Sequence, residues 1–135
     1  MSSDPVRLEI EKHKCEDSHL FFTRRFFKPR MGFKFSVNWH HVYISEKLDA
    51  LLNGTAAKKN IVFNVPPGSG KTELCGGNLV SHGLAINPRA RFLYLSYSED
   101  LVSDVLATAK NIVGGDEFQS LWKIDLADES LACLS

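Results

Sequence analysis

The stretch NIVFNVPPGSGKTEL, residues 60–74, constrains what this chain can fold into more than any other. An apolar run rich in β-branched and aromatic residues, NIVFNV, leads into two prolines, a glycine-rich turn and Gly70-Lys71-Thr72. Such a run predicts a short buried parallel strand. Behind it a helical pattern runs from about Lys71 to Ala85, where Asn87-Pro88 breaks it. Strand, turn and helix in that order suit a polyphosphate. Glycines permit the backbone angles and the close approach that a side chain would block. The helix start adds positive potential. In that arrangement Gly68, Ser69 and Gly70 offer amide N–H groups, Lys71 reaches the β- and γ-phosphates, and the Thr72 hydroxyl ligates magnesium. With the flanking Pro67 and Glu73, residues 67–73 form the expected nucleotide site, and ATP with Mg2+ the expected ligand. The spelling is a variant: Val65 stands where the usual loop begins with glycine. A dinucleotide fingerprint is excluded, because the place of its third glycine is taken by Glu73.

RFLYLSY, residues 91–97, predicts a second buried strand. Ser98 with Glu99 and Asp100 predicts the cap of a helix whose apolar face holds Leu101, Val102, Val105, Leu106, Ala109 and Val113, ended by Gly114-Gly115. Upstream, His41, Ile44, Leu48 and Leu51 keep helical spacing within 39–52, with Asn53-Gly54 as the stop. Residues 4 to about 28 read as mostly helical, ending at Pro29. The order helix, helix, then β-α-β-α predicts an α/β chain with an open, mainly parallel sheet preceded by N-terminal helices. Three parts are expected: a helical, basic-aromatic segment over 1–38, a partial phosphate-loop ATPase domain over 39–122, and an acidic tail over 123–135.

Composition narrows the class. The 135 residues are 44% hydrophobic and 24% charged with a formal net charge of zero, which fits one globular core and supplies no global field toward nucleic acid or membrane. Cys15, Cys75 and Cys133 lie far apart without a CxxC pair, as expected of reduced thiols. No apolar run approaches the roughly 18 residues of a membrane span, and the charged N-terminus lacks a signal-peptide core. A cytosolic location is expected.

From Trp39 to about Trp122 the chain resembles the N-terminal ATPase domain of tailed-phage terminase large subunits, the motors that package DNA into capsids. The resemblance is carried by NWHH at 38–41, IVFNVPPGSGKTEL at 61–74 and NPRARFLYLSYSEDLVSDV at 87–105. It implies a partial P-loop NTPase fold, ATP and magnesium as ligands, and double-stranded DNA, a small terminase subunit and a portal as partners, in host cytoplasm. It also implies that Trp39 and His41 lie near the adenine base. Many terminases carry a basic residue after the prolines; here Gly68-Ser69 stand there. The nuclease half of such a protein has no counterpart, so the resemblance is to a terminase cut short.

Hydrolysis requires a second acidic site, normally an apolar strand ending in Asp-Glu. Asp128-Glu129 in KIDLADES is the one approximation, and Asp125 interrupts its apolar run. Nucleotide binding with negligible turnover is therefore expected. Ser96, Tyr97 and Ser98, at the carboxyl end of the second predicted strand, are candidates for coupling nucleotide state to DNA. The segment TRRFFKPRMGFKF, residues 23–35, with five basic residues among four phenylalanines, is either a DNA contact or an amphipathic helix end. His40 and His41, adjacent on a helix, are expected on different faces and not as a metal pair. The alternatives are a helicase-like ATPase, a small phosphotransferase, or a non-enzymatic interaction module that self-associates through an exposed sheet edge.

Overall fold

The computed structural model describes residues 4–124. Seven helices occur among them: α1 (Pro5–Asp17), α2 (His19–Met31), α3 (Trp39–Asn53), α4 (Lys71–Cys75), α5 (Gly77–Ile86), α6 (Glu99–Val113) and α7 (Asp116–Leu121). No strand is present among the described residues. The expected α/β class with an open parallel sheet is therefore corrected to an all-helical fold. Both predicted strands lack regular secondary structure, the second bends at Tyr97, and neither enters a ladder among the described residues. Along 60–65 every second residue turns inward: Ile61, Phe63 and Val65 are half-buried, while Asn60, Val62 and Asn64 face solvent. Phe63 and Val65 pack on a small core of Ile44, Leu48 and Leu74. Helices α3 and α4 thus satisfy the apolar face that a sheet was expected to cover. Strand propensity reports fit to a half-buried pleated surface, and a helical surface meets that demand as well.

Local chemistry explains the helix boundaries. Asp4 accepts the Val6 amide at 3.0 Å, and Pro5 occupies the first turn, where its missing N–H costs nothing. The single helix expected over 4–28 is split at Ser18, an extended residue whose hydroxyl accepts the Phe21 amide at 3.2 Å. Pro29 does not end α2; it sits inside the last turn, and the left-handed Gly32 terminates the helix. Helix α3 begins at an Asn38 capping box, and it stops at Gly54 as its sequence predicts. The helix expected over 71–85 is interrupted at Gly76. There α5 lies so close to α6 that a Cβ on Gly77 would approach Thr108 Cγ2 to 2.7 Å. Helix α7 was not anticipated.

The main core joins distant parts of the chain. Cys15, Phe22 and Phe26 from α1 and α2 pack with Val80 and Leu84 of α5, Ala109, Ile112 and Val113 of α6, and Phe118, Leu121 and Trp122 at the α7 end. Phe22, Phe26, Phe118 and Trp122 form an aromatic cluster with ring centroids 4.6–6.4 Å apart. The Trp122 indole N–H reaches Glu16 Oε1 at 2.9 Å, so this large ring is buried without stranding its donor. Among the described residues no helix is long and apolar enough to cross a membrane.

Candidate functional site

The glycine-rich turn keeps its local geometry without a sheet. Pro67 and Gly68 form the centre of a turn, with Gly68 at φ 78° and Gly70 at φ 84°, both left-handed. Gly70 has a second reason to lack a side chain, because a Cβ there would sit 2.9 Å from His41 Nε2. Between the glycines the Ser69 carbonyl is held from two sides, by His40 Nε2 at 2.9 Å and His41 Nε2 at 2.6 Å. The His41 tautomer follows from its partners. The Asn38 amide donates to His41 Nδ1 at 2.9 Å, so Nδ1 carries the lone pair and Nε2–H donates to Ser69. The start of α3 and the loop are thereby locked together. The expectation that His40 and His41 diverge is corrected: their ring centroids are 3.9 Å apart, and both reach one carbonyl. A side chain at the first turn of a helix leans back past the N-terminus, which brings both rings to the loop.

The amide N–H groups of Gly70, Lys71, Thr72 and Glu73 meet no acceptor among the described residues. Lys71 and Thr72 are exposed. Among the described residues Lys71 takes part in no ion pair. Burial raises the Cys75 thiol pKa, and the nearby Lys71 charge acts the other way. Glu73 differs from these two. Its carboxylate accepts from Arg30 Nη2 at 2.6 Å and from Asn78 Nδ2 at 2.8 Å, tying α4 to α2 and α5. Beside Thr72 and Glu73 a cavity of about 170 Å3 opens toward α6, lined by Tyr94, Leu101, Asp104 and Thr108 among others.

The remaining candidate residues lie as follows. Trp39 is 77% exposed at the start of α3, its ring edge-on to His40. Ser96 and Tyr97 are exposed, and Ser98 precedes α6 without a side-chain capping bond. Asp128-Glu129 and Cys133 lie outside the described residues. Among the described residues no group of three or more His, Cys, Asp or Glu could hold a metal ion. In the basic-aromatic segment, Phe26, Phe27 and Phe35 are buried, Arg25 pairs with Glu117 at 2.6 Å, and Arg30 pairs with Glu73. Arg24, Lys28 and Lys34 line a shallow groove with Phe21.

A buried histidine pair behind α4 had no sequence signal. His19 and His82 are fully buried, with their Nδ1 atoms 3.0 Å apart. His19 Nε2 lies 2.6 Å from the Leu74 carbonyl, which places its proton on Nε2 and makes its Nδ1 the acceptor from His82. His82 Nε2 then faces the Glu16 carbonyl at 3.3 Å without a proton. Burial pushes both rings down to about 4, His82 adding to the effect on His19. The pair therefore fastens α4 to α2 and α5 as neutral imidazoles. Sixty-three positions separate the two, and nothing in their local patterns marks them as partners.

No protein-family profile, curated protein or solved structure matches this chain.

Proposed function

We propose that residues 67–73 bind the polyphosphate of ATP with magnesium, and that the chain does not turn the nucleotide over by itself. One observation carries this reading: the four consecutive amides of Gly70 to Glu73, which meet no acceptor among the described residues, lie beside an exposed Lys71 and Thr72, on a turn pinned through the Ser69 carbonyl. Oriented amides of this kind supply fixed partial charge to an anion, and the ammonium adds a mobile full charge. The residues suit the ligand. Lys71 would contact the outer phosphates and Thr72 Oγ1 would face the metal, which neutralises charge on the phosphate oxygens. Glu73, occupied by Arg30 and Asn78, supports the loop from behind.

The reading is local and does not depend on a parallel sheet. The link to DNA-packaging motors rests on the sequence strings alone. It would add double-stranded DNA as a partner, and the groove of Arg24, Lys28 and Lys34 is the surface whose charge suits phosphates.

Calorimetric titration of ATP and magnesium into the wild-type chain and into Lys71→Ala tests the proposal. A charge-assisted hydrogen bond contributes roughly 1.5–3 kcal/mol, so Lys71→Ala should weaken binding by about ten- to a hundredfold. Equal affinity in the two folded proteins would remove the site.

A further inference from the structure

Where α4 gives way to α5, the chain presses against α6. A Cβ on Gly76 would meet the Thr72 carbonyl at 2.6 Å and Val105 Cγ2 at 3.4 Å, and one on Gly77 would meet Thr108 Cγ2 at 2.7 Å. These close approaches fix the register of α6 against the loop. Leu101, Asp104, Val105 and Thr108 recur at helical spacing, and that face of α6 lines the cavity of about 170 Å3 with Thr72 and Glu73. Two carboxylates therefore border the cavity, and they differ. Glu73 is engaged by Arg30 and Asn78. The Asp104 carboxylate meets no hydrogen-bond or ion-pair partner among the described residues, where only its backbone carbonyl is used, by the Thr108 hydroxyl at 3.0 Å. No basic side chain lines the cavity among the described residues. A bare carboxylate beside a polyphosphate repels it; the same carboxylate beside a cation attracts it.

We propose that Asp104 holds the magnesium of the bound nucleotide through a water ligand, across the cavity from Thr72. The inference rests on the phosphate-site reading given above. Magnesium is bound through one or two carboxylates, substrate phosphates and retained waters, and not in an all-protein cage. A cavity of this size has room for several waters. Thr72 and Asp104 alone make a weak site, which the phosphate oxygens complete. Holding the metal does not activate the attacking water, so turnover still needs a further acid.

Calorimetric titration of ATP, with and without magnesium, into the wild-type chain, Asp104→Asn and Asp100→Asn tests this. Without magnesium, Asp104→Asn should bind ATP at least as tightly as wild type, because a negative charge near the phosphates is gone. With magnesium it should bind about ten- to a hundredfold more weakly, the usual effect of removing an outer-sphere partner of a metal. A merely structural role, or one exerted by charge alone, would move both affinities the same way. Asp100, an exposed carboxylate on the same helix and outside the cavity lining, should show no such split. Asp104 is exposed, and unchanged far-UV circular dichroism checks that the fold is kept. Equal magnesium-ATP affinity in wild type and Asp104→Asn would overturn the assignment and leave the phosphate site in place. So would parallel changes with and without the metal. A folded wild-type chain that binds ATP under neither condition would instead remove the phosphate site, and the part of Asp104 with it.

Discussion

At the scale of single residues, the loop is shaped by what touches Ser69 and Gly70. Gly70 is left-handed and crowded by His41 at once, so Gly70→Ala meets both a backbone and a steric cost. The left-handed conformation alone costs roughly 1–2 kcal/mol for a residue with a Cβ. Urea denaturation should show a loss of at least that size, together with weaker ATP binding; a neutral effect would mean the turn is not held as described. Lys71, Thr72 and the glycines are candidates on sequence grounds, because their residue types and spacing are what a phosphate site would need. His40, Arg30 and Asn78 are not, since their parts depend on how α2, α3 and α5 meet around α4.

Titration belongs to the same scale. His19 and His82 have folded pKa values near 4, below the ordinary 6.5 of an exposed ring. Their contribution to stability is complete above about pH 6.5 and is lost as pH falls toward 4, on the order of 3 kcal/mol for the first proton taken up. Asp49, whose carboxylate accepts the His19 amide at 2.8 Å, opposes this. Burial raises Asp49 to about 6, the His19 amide acting the other way and Asp17 and Glu46 adding to the rise. A raised carboxylate favours the folded state below its unfolded pKa, an advantage lost as pH rises through 6. Asp49→Asn should therefore stabilise the chain at pH 7–8 and steepen its loss of stability from pH 6.5 to 4, measured by denaturation at each pH. An unchanged profile would show that Asp49 titrates normally.

Elements were legible where their signals are local. The Asn53-Gly54 stop ends α3, and the amphipathic face of α6 places Val105, Ala109 and Val113 in the core. The misread boundaries have a common physical cause. Ser18 and Gly76 break patterns whose apolar spacing continues across them, so periodicity alone joined α1 to α2 and α4 to α5. Segments 60–65 and 91–97 read as strands in sequence, yet among the described residues they form none. Inward alternation onto helices and burial within a parallel sheet draw on the same residue types, and only the partner distinguishes them. Gly77→Val is the matching test. Its side chain would collide with Thr108 and push α5 off α6, so a loss of about 1–3 kcal/mol is expected by denaturation. No loss would mean that the two helices are not in close contact.

For the whole molecule, one aromatic core draws in both ends of the described chain, and that long-range assembly left no mark in sequence. Phe118 is fully buried between α7 and the rings of Phe22, Phe26 and Trp122. Phe118→Ala should cost about 3–5 kcal/mol, read from urea unfolding. A small loss would place α7 outside the core. The claim on which the functional reading turns is that the amides of residues 70–73 hold phosphate. Amide NMR with ATP and magnesium, and with inorganic triphosphate as the reduced ligand, tests it most directly. The account predicts that both ligands shift the Gly70, Lys71, Thr72 and Glu73 amide resonances most strongly, and that Lys71→Ala diminishes the shifts. A folded chain whose loop resonances stay in place, or whose shifts gather elsewhere, would contradict it.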